Sequence, residues 1–370
     1  MREHAATVTR LFLERNGDAL SESSAGLADF LSTWVEGGAA PARPLDPVFG
    51  EAHWALRRRD DAGRAAAGLG LYLASAGVAG AWRATFPAPV LLRFGPFLLG
   101  PARSLEVEAT AERASIAAEA DDGERRGVEL RRSGDTWESD RPEGDGVERL
   151  PELSVDGWRI TILPRRATVL GVPERVLAEA VDDIEPAMLD TMRAAFDVLG
   201  EYVPEYVPWV GRVFTHALLL NPKSGYVESG SMDHYYGFAH FSAYANPAAL
   251  AELLVHESSH QYFNLLCLLG PFDDGTDTTL YYSTAKNRPR PLDRIGVAYH
   301  AFANVLIFYR ECVAQGIDDD GWCERHLERW TRDLGVLEEP LRSNPALTDI
   351  GRALCEPLIE RLQLTRAVSG

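Results

Sequence analysis

The chain is poor in cysteine. Its 370 residues include only four cysteines, and no two of them form a CxxC pair. They are Cys267, Cys312, Cys323 and Cys355. This spacing excludes a disulfide-framework protein and a cysteine-based zinc or redox site. The sequence therefore predicts free thiols in a reducing compartment, and we expect a cytoplasmic protein.

Long apolar runs are also missing. The first twenty residues, MREHAATVTRLFLERNGDAL, carry charges throughout and contain no apolar core of a secretory signal. The longest apolar stretches, such as residues 68–82, are too short and too interrupted by glycine to span a bilayer. We therefore expect neither a membrane-spanning segment nor a membrane partner.

Positive charge is scarce. There are 37 Lys and Arg residues against 55 Asp and Glu residues, so the formal net charge is −18. Such a chain is a poor partner for a polyanion, and we expect no nucleic-acid partner. The content of 46% hydrophobic and 25% charged residues is otherwise that of an ordinary globular protein, long enough for two packed units.

The hydrophobic pattern predicts an α+β protein in three parts. Residues 1–104 are expected to be helical, with one helix over residues 65–84, and residues 105–170 to form an antiparallel β region because short alternating runs are separated by turn residues. Residues 171–370 are expected to be mainly helical, with helical periodicity from Pro173 to Phe196. Strand-like runs at residues 212–220 and 235–244 and a loop between Gly270 and Pro291 interrupt this part.

The clearest motif is HESSH at residues 256–260, an HExxH pattern. Asn246 followed by Pro247 is a good helix start, so a helix is predicted from there to about Leu268. On a helix, His256 and His260 are four residues apart and project from one face, where they can bind one metal ion. Glu257 then lies beside a ligand or a metal-bound water, as the candidate catalytic residue.

A two-histidine site needs a third ligand, and several residues remain candidates. His300 is foremost, because it is an isolated histidine in the apolar helix GVAYHAFANVLIFY; burial as an ordinary core histidine is the alternative. Glu311, later on the same helix, is the competing glutamate of a protease-like site. His234 and His240 are reserve ligands.

The loop before the His300 helix is rich in positive charge. It contains Tyr282, Ser283 and the RPRP segment, in which Arg288 and Arg290 alternate with prolines. Three neutral imidazoles suit Zn²⁺ with a bound water or Fe²⁺ with open positions, and the spacing alone does not choose between them. A rigid cationic edge would suit a dicarboxylate such as 2-oxoglutarate, whereas pairing of these arginines with surface carboxylates is the alternative.

HESSH, the YYS…RPRPL loop and the histidine of AYHAFA follow in this order across residues 250–310. In this order they resemble the HExxH-type 2-oxoglutarate-dependent peptide β-hydroxylases, which are peptide-modification proteins of ribosomal peptide natural-product clusters. The resemblance implies a zincin-like HExxH core with Fe²⁺ held by His256, His260 and His300. It also implies that 2-oxoglutarate binds through Arg290, together with Tyr282, Ser283 and Arg288 of the same loop. It also implies a ribosomally made precursor peptide as substrate, hydroxylated at a side-chain Cβ.

Two other functions remain open at this stage. A zinc metallopeptidase would use Glu257 to activate a metal-bound water. A catalytically silent relative would keep the fold and bind a peptide only. Metal content together with 2-oxoglutarate consumption or peptide cleavage separates the three.

Overall fold

The computed structural model describes residues 1–37, 45–58, 61–140, 144, 146–222, 228–243, 246–317 and 321–368. The fold is α+β. The helices are α1 (Arg2–Ser23), α2 (Leu27–Gly37), α3 (Val48–Ala55), α4 (Ala62–Ser75), α5 (Glu174–Leu177), α6 (Pro186–Tyr202), α7 (Tyr206–Val213), α8 (Pro247–Leu266), α9 (Leu292–Ala314), α10 (Trp322–Glu338) and α11 (Asp349–Val368). The strands are β1 (Gly80–Phe94), β2 (Phe97–Ala109), β3 (Arg113–Glu119), β4 (Arg125–Ser133), β5 (Thr136–Ser139), β6 (Val147–Arg149), β7 (Glu152–Val155), β8 (Trp158–Leu163), β9 (His216–Leu220), β10 (Ser229–Ser231), β11 (Phe238–Ser242), β12 (Tyr281–Ser283) and β13 (Arg288–Arg290).

The N-terminal helices pack against an antiparallel sheet. Its strand order is β1-β2-β3-β4-β5, and β6 pairs with the other end of β2. The helical prediction for residues 1–104 holds only as far as Ser75, because β1 and most of β2 occupy residues 80–104. Buried Trp82, Ala84 and Phe86 alternate with exposed neighbours there, which is the period of a strand and not of a helix. The antiparallel strands predicted beyond residue 105 are present.

The second sheet is mixed, with strand order β10-β11-β9-β8-β7. The central strand β9 runs parallel to both β8 and β11, whereas β7 and β10 are antiparallel edge strands. Every residue of β9 and β11 is buried, as expected for central strands covered on both faces. The short strand β10 lies beside α8 at one edge.

The predicted HExxH helix is confirmed. The Asn246 side chain accepts hydrogen bonds from the backbone N–H groups of Ala248 and Ala249, at 2.9 and 3.2 Å, and Pro247 occupies the first turn. Helix α9 packs along α8 and is buried over most of its length. The motif is therefore held between the mixed sheet and an apolar helix.

Other predicted elements differ from the structure at their boundaries. The helical pattern from Pro173 is divided into α5 and α6, and Pro186 begins the second of these helices. Residues 212–213 end α7 before β9 begins. Strand β11 covers only residues 238–242 of the second strand-like run, because a turn occupies residues 236–237; Tyr244 lies outside the described residues. The loop before α9 contains the hairpin β12–β13.

The four cysteines are free thiols, three of them buried. Among the described residues, no helix combines the length and apolar character needed to cross a membrane.

Candidate metal centre

His256 and His260 converge on one face of α8. Their Nε2 atoms lie 3.1 Å apart, with the rings nearly perpendicular. Two nitrogen ligands bound about 2.0–2.1 Å from one ion at a tetrahedral angle are separated by roughly 3.3 Å. The observed separation therefore fits a shared metal ion without rearrangement of the helix.

The His256 imidazole is in the protonation state that metal binding requires. Burial holds the pKa of His256 well below its usual value, and the neighbouring His260 and Lys286 lower it further. A neutral imidazole keeps a lone pair for a cation at neutral pH, whereas an imidazolium has none. His256 is accordingly a competent ligand without first losing a proton.

Glu257 lies next to the pair and is only 2% exposed. Its Oε1 accepts a hydrogen bond from the Ser229 hydroxyl at 2.6 Å, while Oε2 is buried and has no hydrogen-bond partner among the described residues. One of its oxygens and one nitrogen from each of His256 and His260 all lie within 4.8 Å of one another. A buried carboxylate oxygen without a donor fits a site that takes up a cation or a water bound to it.

His300 faces α8 from the opposing helix and is 8% exposed. Its Nδ1 donates a hydrogen bond to the Ser259 carbonyl at 3.0 Å, which leaves the lone pair on Nε2. Burial, followed by the nearby His260, lowers the pKa of His300 to about 4. Metal-binding histidines characteristically donate their other ring N–H in this way. His300 lies outside the group of atoms within 4.8 Å, so its role as third ligand stays a prediction.

The other ligand candidates are placed differently. Glu311 is eleven residues beyond His300 on α9, about 16 Å along the axis at 1.5 Å per residue, and its charge acts on Tyr206 instead. His240 lies on β11, close enough for the charge of Glu257 to raise its pKa against the stronger effect of burial. Its Nδ1 is buried and has no hydrogen-bond partner in the described part of the chain.

Aromatic side chains form one wall of the centre. The ring centroids of Phe302 and Trp330 lie 5.9 and 6.5 Å from that of His256, and the two rings meet edge to face at 4.1 Å. Trp330 comes from α10, which the sequence analysis did not connect with the site. Ser229, the hydrogen-bond donor to Glu257, was also missed, since a lone serine in a short strand gives no signal in the sequence.

The basic loop forms a hairpin next to the centre. Ser283 is buried and pairs with Arg288, and the Thr284 hydroxyl, just beyond Ser283, donates to the Asp333 carbonyl of α10 at 3.3 Å. Lys286, in the turn, is the hairpin cation whose charge lowers the pKa of His256. Arg290 ends β13 and is half-buried.

The remaining loop residues are more exposed. Tyr282 is 50% exposed, and its hydroxyl bonds the Asn287 side chain. Within the described residues, the side chains of Lys286, Arg288 and Arg290 form no ion pair, so the alternative in which the loop arginines pair with surface carboxylates is not seen there. The hairpin therefore presents unneutralised positive charge beside the imidazoles.

The reserve ligand His234 belongs to a different cluster. It is exposed, has a left-handed backbone conformation with φ of 72°, and stacks on His53 of α3 with ring centroids 4.1 Å apart. Burial, followed by the charges of His234, Arg57 and His4, lowers the pKa of His53 from 6.5 to about 4.

This cluster gives a pH dependence of stability. Because the unfolded chain protonates His53 near pH 6.5 and the folded chain only near 4, stability is complete above 6.5 and falls as the pH decreases from 6.5 to 4. We expect a loss on the order of 1–2 kcal/mol from this residue, less than the full shift because solvent screens it. The free energy of unfolding in urea should depend less steeply on pH in His53→Gln than in wild type across this range. Equal slopes for the two proteins would contradict the prediction.

Comparison with known proteins gives no relative: no protein-family model matches the chain, and no curated protein matches it significantly.

Proposed function

We propose that this chain is an iron(II)- and 2-oxoglutarate-dependent hydroxylase that acts on a side-chain Cβ of a ribosomally made peptide. The observation that carries the proposal is the juxtaposition of two converging imidazoles with a hairpin whose cations form no ion pair with any described residue. A protein of net charge −18 that keeps such cations beside a metal-competent pair is suited to a small anionic co-substrate.

The donor set fits a divalent transition metal. His256 and His260 would hold the ion, with His300 as the proposed third ligand. When bound, iron(II) with 2-oxoglutarate and O₂ supplies the oxidant for hydroxylating an unactivated C–H bond, with succinate and CO₂ as co-products. Phe302 and Trp330 keep that side of the centre apolar and limit the access of water.

The hairpin is the proposed binding element for the co-substrate. A guanidinium fork matches a carboxylate with two parallel hydrogen bonds, which favours Arg290 for the distal carboxylate. Lys286, whose charge reaches His256, is the second candidate for the same group. The hydrogen bond from Thr284 anchors the hairpin on α10 and so fixes these cations relative to α8, the HExxH helix.

The open edge of the mixed sheet is the proposed peptide-binding element. Strand β10 pairs only with β11 among the described strands, and its first residue, Ser229, contacts Glu257. An extended peptide that paired with this edge by main-chain hydrogen bonds would pass the imidazoles. A mixed sheet with an antiparallel edge strand beside the HExxH helix supports the proposed likeness to a zincin-like core.

A zinc metallopeptidase is the second candidate. The position of Glu257 favours it, because a carboxylate oxygen within 4.8 Å of both imidazole nitrogens is placed to accept a proton from a metal-bound water.

One set of measurements on the full chain separates the candidates. Protein purified without oxygen and loaded with Fe²⁺ or Zn²⁺ is assayed for succinate from 2-oxoglutarate and for cleavage of a mixed peptide library. The proposal expects iron-dependent succinate formation without cleavage. Zinc-dependent cleavage would replace it with the peptidase, and metal binding without either reaction would indicate a silent peptide-binding relative.

We expect Arg290→Ala to raise the KM for 2-oxoglutarate roughly ten- to a hundredfold, because a charge-assisted contact contributes about 1.5–3 kcal/mol. Arg288→Ala is the matched control from the same strand, with a more exposed side chain, and should change KM little. A larger effect of Lys286→Ala would assign the carboxylate to the turn. No effect of any of the three substitutions would remove the hairpin from co-substrate binding.

A further inference from the structure

A separate cavity, partly open to solvent, lies where the N-terminal helices and sheet meet the second sheet. Residues from α3, α4, β1 and β5 line one side, and residues from β7, β8 and β9 line the other. None of its lining residues belongs to α8, α9 or the hairpin, so it shares no residue with the metal centre.

The lining of the cavity carries four arginines and four acidic residues, and the most buried of these charges are already paired. Glu51 is 5% exposed, and both its oxygens are engaged: Oε1 accepts from the Leu170 N–H at 2.9 Å and Oε2 from Arg93 Nη2 at 3.2 Å. Arg64 lies close enough for Glu51 and Arg93 to act on its charge, and burial lowers its pKa. Arg93 and Arg64 also donate to backbone carbonyls, at 3.1 and 3.4 Å, so these two guanidinium groups and the carboxylate already have partners within the chain.

The facing wall adds a cation without a partner. Arg159 of β8 lines the cavity, is partly buried, and forms no side-chain hydrogen bond or ion pair with any described residue. The acidic residue of the neighbouring strand, Glu152, pairs instead with Arg149 at 3.4 Å. Thr136 also lines the cavity, and its Oγ1 is buried with no hydrogen-bond partner within the described chain. A partly buried cation and an orphan hydroxyl are both groups that a ligand would satisfy.

The rest of the lining is largely apolar. Its apolar side chains include Val48, Tyr72, Leu91, Leu92 and Trp137. From this combination we infer that the cavity binds a carboxylate-bearing molecule with an aromatic or aliphatic body. The carboxylate binds to Arg159, the Thr136 hydroxyl bonds to a further polar group of the ligand, and the body packs against the apolar wall. The carboxylate belongs either to a free small acid or to an acidic side chain of a peptide.

The test uses matched probes on the full chain. Binding of 3-phenylpropanoate and of its neutral twin, 3-phenylpropanamide, is measured by titration calorimetry. We expect the acid to bind at least tenfold more tightly than the amide, which corresponds to one charge-assisted contact. Arg159→Met should remove this preference, whereas Arg131→Met removes the same charge from an exposed position outside the lining and should leave it unchanged.

A second variant covers the case in which Arg159→Met fails to fold. Arg159→Gln keeps a polar side chain at this position and removes its charge, so it should also remove the preference for the acid over the amide. The source of the carboxylate is distinguished with N-acetyl-Gly-Glu-Phe-Gly-amide and its Gln counterpart. Preferential binding of the Glu peptide supports a peptide ligand, and binding of only the free acid supports a small molecule.

Three results would overturn the inference. These are equal binding of acid and amide, unchanged acid binding in folded Arg159→Met, or no saturable binding of either carboxylate probe up to about 10 mM. The test does not depend on the metal centre, because His256→Ala should bind the acid as wild type does. Failure of the proposed hydroxylase activity would therefore leave this result untouched.

Discussion

Replacing His300 with alanine is expected to abolish stoichiometric metal binding while the chain remains folded. Loss of a group that merely supports a ligand already weakens metal binding by about 10–100-fold, and loss of a ligand should cost more. Metal content after anaerobic loading and desalting measures the effect, and circular dichroism checks the fold. His326→Ala is a matched control, because that histidine also donates from Nδ1 to a helix carbonyl, at 2.8 Å, but lies on α10 against Trp322 and Tyr309.

The result also decides between the third-ligand candidates. If His300→Ala keeps its metal and Glu257→Ala loses it, the third ligand is the Glu257 carboxylate, which already lies within 4.8 Å of the imidazole nitrogens. Loss of the metal in Glu311→Ala would make Glu311 a ligand, which would require α9 to be displaced by several turns from its place in this structure. If all three variants retain the metal, only His256 and His260 of the proposed residues bind it.

Glu257→Gln is expected to keep iron and to keep measurable succinate formation from 2-oxoglutarate. The amide preserves the size of the side chain, and its oxygen still accepts from the Ser229 hydroxyl. In a peptidase this carboxylate is the general base, and its loss would lower the rate by about 10²–10⁴. In the proposed hydroxylase no proton has to be removed at this position, so the two functions predict different outcomes for one substitution.

The same substitution five residues earlier on α8 provides the control. Glu252 is buried on α8, and burial raises its pKa to about 7, so it is largely protonated below that pH and Glu252→Gln changes little charge there. Activity lost in Glu257→Gln but kept in Glu252→Gln, with metal retained in both, would argue strongly against the hydroxylase. Activity kept in both would agree with it.

The local sequence determined the parts of the molecule that depend on near neighbours. Asn246 and Pro247 define where α8 begins, because capping involves only the first helical turn, and the four-residue spacing of His256 and His260 places both on one face. The α+β class followed from two hydrophobic periods that appear in different segments. Absence of paired cysteines correctly indicated free thiols.

Only the tertiary structure decided what depends on contacts between distant segments. Residues 80–94 lie on a strand because β2 pairs with them, although the alanines among residues 80–84 are compatible with a helix. Ser229 reaches Glu257 across the sheet edge, Trp330 reaches His256 from α10, and Arg159 lies at a cavity formed by two sheets. Burial likewise sets the pKa of His256, since desolvation depends on everything packed around the ring and not on its sequence neighbours.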